Sequence, residues 1–162
     1  MEYTPPISNK KPYFVCFFAF LLFSACYAVI TVWGKFVWLF QIAAILFAVI
    51  LIEVLIRYVM TRHTYVLDGE NFIIIRKTGN KKTVACDVSL RMAMGVVEKK
   101  NAKNIEQNFG PIFKAYNYCQ NLFPKTCYFY IFELSGKRCA VSFEPDEAFL
   151  SEMKARMAAK EV

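Results

Sequence analysis

Residues 13–60 read YFVCFFAFLLFSACYAVITVWGKFVWLFQIAAILFAVILIEVLIRYVM, and in this stretch only Lys35, Glu53 and Arg57 carry charge. An apolar run of about twenty residues is long enough, as a helix, to cross a ~30 Å hydrocarbon core. The stretch contains two such runs, interrupted at Gly34 and Lys35, so the reading is a membrane-spanning helical hairpin with spans at about 12–33 and 36–60. The flanks set its direction. Lys10 and Lys11 precede the first run, and Arg57, Arg62 and His63 close the second, while Lys35 alone marks the turn. The excess of positive charge puts both termini in the cytoplasm and makes the chain a multi-pass protein of the cell membrane. Tyr13, Trp33, Trp38 and Tyr58 lie at the ends of the runs, where interfacial aromatics anchor a span.

Two features inside the hairpin invite other readings. Phe23, Ser24, Ala25 and Cys26 resemble a lipoprotein processing box, but the apolar run continues past Cys26 to Trp33, which a cleaved signal would not do. Glu53 is a carboxylate within a span, a functional position by default in a transport path. Arg57 follows it by four residues, the spacing of an ion pair along one helix face. Two helices enclose no pathway, so a transport role for Glu53 requires a homo-oligomer or a larger complex.

The whole chain of 162 residues is 57% hydrophobic and 17% aromatic. That exceeds the globular norm of about 45–50% apolar, and the excess lies before residue 61. After Thr61, 16 Lys and Arg face 11 Asp and Glu, interleaved rather than clustered. This balance does not make a nucleic-acid stripe; it suits a surface near anionic lipid. The six cysteines form no C-x-x-C pair and His63 is the single histidine, so no metal or cofactor site is expected. Ser89, Ser135, Ser142 and Ser151 have no histidine partner in reach of the pattern, and no glycine-rich phosphate loop occurs, so no enzyme is expected.

From residue 61 the pattern becomes short alternating runs separated by turn residues, the signature of strands. Strands are expected at residues 64–67, 72–77, 81–88 and 92–100, with Asp68-Gly69 and Thr78-Gly79-Asn80 as turns. In the third of these Val84, Cys86 and Val88 should share the core face. Residues 101–111 are polar and aperiodic and read as a loop. Residues 112–119 form a weaker strand, and residues 127–134 and 137–143 form a hairpin about Ser135-Gly136, with Cys139, Val141 and Phe143 pointing inward. A helix over 145–160 opens with Pro145, Asp146 and Glu147 and carries Phe149, Leu150, Met153 and Met157 on one stripe.

Seven strands followed by one amphipathic helix resemble the pleckstrin-homology (PH) superfold, and the whole chain resembles bacterial PH-like membrane proteins. The residues that carry the likeness are Thr64-Tyr65-Val66-Leu67-Asp68-Gly69-Glu70-Asn71, the isoleucine-rich return strand, the Lys77-Thr78-Gly79-Asn80-Lys81-Lys82 turn, and Val141-Ser142-Phe143-Glu144-Pro145 leading into the last helix. The fold class so implied is an α+β membrane protein. A cytoplasmic tail at residues 1–11 and a two-helix transmembrane hairpin at 12–60 precede a PH-like domain at 61–162, a seven-strand partly open barrel capped by its carboxy-terminal helix.

Eukaryotic relatives of the superfold hold phosphoinositides with basic residues around the first hairpin, but here that turn carries Asp68 and Glu70. Lys77, Lys81 and Lys82 around the second turn are the lipid-facing candidates, each contributing about 1 kcal/mol near an anionic surface. The functional expectation is a non-enzymatic, membrane-anchored binding module that scaffolds or regulates a protein partner. The alternatives are a reader of anionic lipid headgroups and an accessory subunit of a transport or secretion complex.

Overall fold

Alternation decides the sheets. In the strand Thr61–Asp68, Thr61, His63, Tyr65 and Leu67 are buried, while Arg62, Thr64, Val66 and Asp68 lie on the other face. The return strand Asn71–Thr78 buries Phe72 and Ile74. The computed structural model describes residues 1–7, 10–33, 37–100 and 105–159. It divides into two compact units, Met1–Pro6 with Thr61–Val162, and Ile7–Met60.

Among the described residues the first unit contains eight strands: β1 (Glu2–Tyr3), β2 (Thr61–Asp68), β3 (Asn71–Thr78), β4 (Lys81–Ser89), β5 (Ala93–Glu98), β6 (Lys114–Asn117), β7 (Tyr128–Leu134) and β8 (Lys137–Phe143). They form two four-stranded sheets, β1-β2-β3-β4 and β5-β7-β8-β6, and not one closed barrel. Neighbours are antiparallel except β6 and β8, which run parallel. The seven strands expected after residue 61 are β2–β8. The strand β1 comes from residues expected to be a tail, and it pairs Glu2 with Val66 and Tyr3 with Tyr65. Met1 extends the pairing, exchanging two backbone hydrogen bonds with Leu67 at 2.7 and 2.8 Å.

The core lies between the sheets and the helix Glu147–Ala158. Tyr65, Phe72, Tyr130, Phe143, Phe149 and Met153 are fully buried there. The rings of Phe72 and Phe143 sit 5.1 Å apart and those of Tyr65 and Phe143 cross edge-to-face at 5.6 Å. The helix starts two residues later than its sequence suggests. Asp146 is its cap, accepting the Phe149 amide at 2.8 Å, and Pro145 precedes it. A cap of this kind satisfies an amide that has no partner within the helix.

Two strands depart from the expected alternation. In β4 a bulge pairs Ile74 with Cys86 and Ile75 with Val84, leaving Ala85 as the extra residue. An inserted residue reverses the faces beyond it. Ala85, Cys86 and Val88 therefore pack on the core, and Val84, expected with them, is 64% exposed.

The strand β8 is buried on both faces. Cys139, Val141 and Phe143 enter the main core, and Ala140 joins Ile131 and Ile105 in a second, smaller one. Ile105 belongs to a short helix, Ile105–Phe109, within the stretch expected to be a loop; residues 101–104 of that loop lie outside the described residues. Phe109 of this helix packs over Gly95, where a Cβ would stand 2.9 Å from the ring. The variant Gly95→Ala is expected to lose about 1–3 kcal/mol by overpacking, measured as a fall in the denaturation midpoint. A loss under about 0.5 kcal/mol, the range of ordinary surface substitutions, would mean that this close approach is not required.

The second unit contains helix α1 (Lys10–Trp33) and helix α2 (Val37–Leu55), the latter ending in a π-helical turn, Ile56–Met60. Phe23 stacks on Phe40 at 4.8 Å and on Phe47 at 4.9 Å, so an aromatic seam joins the two helices. Two membrane spans were expected. Among the described residues one helical stretch, Trp38–Met60, is long and apolar enough to cross a membrane, and the apolar part of α1, Tyr13–Ala28, is shorter. The expected turn at Gly34 and Lys35 lies outside the described residues, as do the side chains of Lys10, Lys11 and Trp33. The short helix Ile105–Phe109 is called α3 below, and Glu147–Ala158 is α4.

Candidate functional site

Strand register sorts the lysines of the second turn. Lys77 pairs with Arg62 on one side and with Lys82 on the other. Directly opposed residues project from the same face, so Arg62, Lys77 and Lys82 make a row of three exposed cations across β2, β3 and β4. Lys81 stands opposite Thr78, one register position along, and belongs to the other face. Sequence reading grouped Lys81 with Lys77 and Lys82 and did not include Arg62; the pairing of Arg62 with Lys77 needs the register of β2 on β3, which no local pattern supplies. Like charges set opposite one another destabilise a sheet. An anion over the row would remove that cost.

Below the row, the same outer face carries aliphatic side chains among polar ones. Thr64, Ile75 and Val84 form the next rank, and Val66, Ile73 and Asp87 the one after. The β4 bulge turns Val84 outward into this surface. The β2–β3 turn is occupied by partners from within the domain. Glu70 is ion-paired with Arg91, whose Nη2 donates to its Oε1 at 2.7 Å, and Arg156 donates to the Gly69 carbonyl at 3.0 Å. Arginines near this turn are thus engaged with the turn itself.

A second cluster surrounds the loop between β6 and β7. Gln120 is 1% exposed; its Oε1 accepts the His63 amide at 2.7 Å and its Nε2 donates to the Thr61 carbonyl at 2.8 Å. Asn121 Nδ2 donates to the Pro6 carbonyl at 3.0 Å and to Glu144 Oε2 at 2.8 Å, and its amide donates to Glu144 Oε1 at 2.7 Å. One loop therefore holds the last described residues before the helical unit and the first ones after it. Beside it, Tyr65 donates its hydroxyl to the Tyr118 carbonyl at 2.8 Å, and burial raises its pKa far above the ordinary phenol value. Nothing in the sequence around Gln120 separates it from an ordinary loop residue.

The candidates in the helical unit are spread out. Glu53 is exposed on α2. Arg57 lies in the π-helical turn with its guanidinium 5.4 Å from the centre of the Tyr58 ring. Tyr13 and Trp38 are 53% and 62% exposed, as residues that face a surrounding medium would be. Among the described residues no group of three or more His, Cys, Asp or Glu side chains is placed to hold a metal ion.

The sequence from residue 7 to residue 162 matches the model of a family described as "Bacterial PH-like domain (DUF6106)". The chain belongs to this bacterial PH-like domain family. The match runs through the helical unit and the sheets alike and leaves β1 outside it. No curated protein and no solved structure matches the chain. A PH-like domain supports a binding role at most, and the fold does not choose its ligand.

Proposed function

We propose that this PH-like protein is a non-enzymatic binding module anchored in the cell membrane by a two-helix hairpin, with its termini and its domain in the cytoplasm. The apolar stretch Trp38–Met60 supports the anchoring, and a shared loop supports the hairpin: Pro6 and Thr61, which flank the helical unit, are bonded to Asn121 and Gln120 of one domain. A chain that leaves a folded domain and returns to it crosses a bilayer an even number of times. One crossing would put β1 and β2 on opposite sides of the membrane. The apolar stretch Trp38–Met60 therefore needs a returning partner, and α1 is the helix available for it.

The binding surface we propose is the outer face of β2–β4, where the row Arg62, Lys77 and Lys82 borders the aliphatic rank of Ile75 and Val84. Such a surface suits a protein partner with an acidic edge and an apolar centre. The test is a photoreactive residue at Ile75 in the full chain, activated in intact membranes. One dominant protein adduct supports the scaffold reading, and its loss in Lys77→Glu/Lys82→Glu would tie it to the cations.

The same row favours a second reading, contact with anionic lipid. Arg62 follows the apolar helix by two residues, which at about 3.5 Å each is a short tether. If Ile75 labels lipid and no protein, and charge reversal abolishes the label, the lipid reading replaces the first. If reversal changes neither adduct, both fail.

A further inference from the structure

We propose that Cys119 and Cys127 are a reversible oxidation site that closes a disulfide across the neck of the β6–β7 loop when the protein meets a peroxide. The inference does not depend on the membrane reading. The two sulfurs lie 3.2 Å apart, and among the described residues this is the one sulfur–sulfur contact. Both thiols are buried at 5% exposure. Cys127 also lines an open pocket of about 360 Å³ with Lys99, Lys100 and Lys125, which gives a small oxidant a path to it.

The pair is asymmetric. The sulfur–sulfur contact and burial raise the pKa of Cys119, while the same contact and the Lys99 ammonium lower that of Cys127, against burial and the charge of Glu144. Lys99 is fixed there because its amide donates to the Cys127 carbonyl at 2.8 Å. Cys86 differs: burial and the neighbouring Asp87 push its thiol up to about 11. The thiolate is the reactive form, and Cys127, which lines the pocket beside Lys99, Lys100 and Lys125, is the sulfur that an oxidant meets first.

The chemistry balances with the peroxide as sole oxidant. The Cys127 thiolate attacks one peroxide oxygen; an S–O bond forms, the O–O bond breaks, and the departing hydroxide takes a proton to become water, leaving a sulfenic acid. Cys119, losing its proton, attacks the Cys127 sulfur; the S–S bond forms, the S–O bond breaks, and hydroxide leaves with that proton as a second water. Two thiols are oxidised by two electrons, and the peroxide is reduced to two waters. A small dithiol reverses the step by exchange.

Position gives the bond its consequence. Gln120 and Asn121, which hold Thr61, His63 and Pro6, lie immediately inside the ring that the disulfide closes. A crosslink at the neck restricts the loop's freedom to open. The oxidised protein should hold Pro6 and Thr61, the chain segments that flank its helical unit, more firmly than the reduced one.

The experiment treats the full chain in its membranes with hydrogen peroxide, blocks the remaining thiols, and identifies linked peptides by mass spectrometry. The expected result is a dominant 119–127 link, removed by dithiothreitol, with slower hydrogen exchange at the His63 amide in the linked form. In Cys119→Ser the sulfenic acid at Cys127 should persist and be captured by dimedone. A dominant link to any other cysteine, or oxidation that leaves both Cys119 and Cys127 free, overturns the proposal. So does exchange at His63 that is unchanged by the link, because the proposed consequence would then be absent.

Discussion

Replacing Gln120 by Leu is expected to cost about 2–6 kcal/mol, read as a fall in the midpoint of chemical denaturation of the sheet unit. The side chain is as well buried as any core residue, yet it does the work of a missing strand. The strand β1 ends at Tyr3, opposite Tyr65, so among the described residues no strand continues along the β2 edge between Thr61 and His63. The Gln120 amide fills that edge as a peptide group would, accepting from the His63 N–H and donating to the Thr61 C=O. Leu is of similar size and keeps the packing, but both backbone groups then stay buried without those partners. Each orphaned group costs about 1–3 kcal/mol, which gives the range above.

The control is Gln107→Leu on α3, where the side chain is exposed and the change should stay within about 0.5 kcal/mol. Gln120→Glu separates the two bonds. A carboxylate can still accept from His63 but faces the Thr61 carbonyl with no donor, so it should fall well below the native protein. A loss under about 1 kcal/mol in Gln120→Leu would mean that water reaches this edge and replaces the amide.

Local pattern made most strands of the domain readable and left its sites unreadable, for one reason. The β7–β8 hairpin and α4 repeat their apolar residues at fixed spacing, so Cys139, Val141, Phe143, Phe149 and Met153 could be assigned to the core without knowing any partner. The β4 face failed at Val84 because one extra residue, Ala85, shifts the alternation and leaves no trace in composition. The strand β1 is two residues long and has no period to detect. The short helix α3 was hidden in a polar stretch whose apolar members, Ile105 and Phe109, serve a small core formed by distant strands. The cation row, the Gln120 bridge and the Cys119–Cys127 contact each join residues from separate elements. Their chemistry exists only once register and loop position are set, and Arg62 and Gln120 look ordinary until then.

A disulfide is expected to form in high yield between Glu2→Cys and Val66→Cys in the full chain, in intact membranes under mild oxidation. Met1 and Leu67 exchange both of their backbone hydrogen bonds, so the next facing pair, Glu2 and Val66, is the non-hydrogen-bonded kind. Facing residues of that kind bring their Cβ atoms to about 4.5–5.5 Å, and a disulfide prefers roughly 3.5–4.5 Å, so a small adjustment closes the bond. Moving one cysteine to Asp68 should abolish the link, because no residue of β1 pairs there. The result bears on more than one strand. Glu2 and Val66 are separated in sequence by the whole helical unit, and they can meet only if both ends of that unit emerge on one side of any bilayer it enters. Tyr3 explains why the strand would stay docked once it arrives: its ring lies 6.4 Å from Tyr65 and 6.2 Å from Phe149, and each aromatic pair contributes about 0.5–1.5 kcal/mol beyond area burial. Failure of the link with Tyr3 intact would separate β1 from the domain and remove the argument for an even number of crossings, leaving a single span through Trp38–Met60 as the anchor to be tested next.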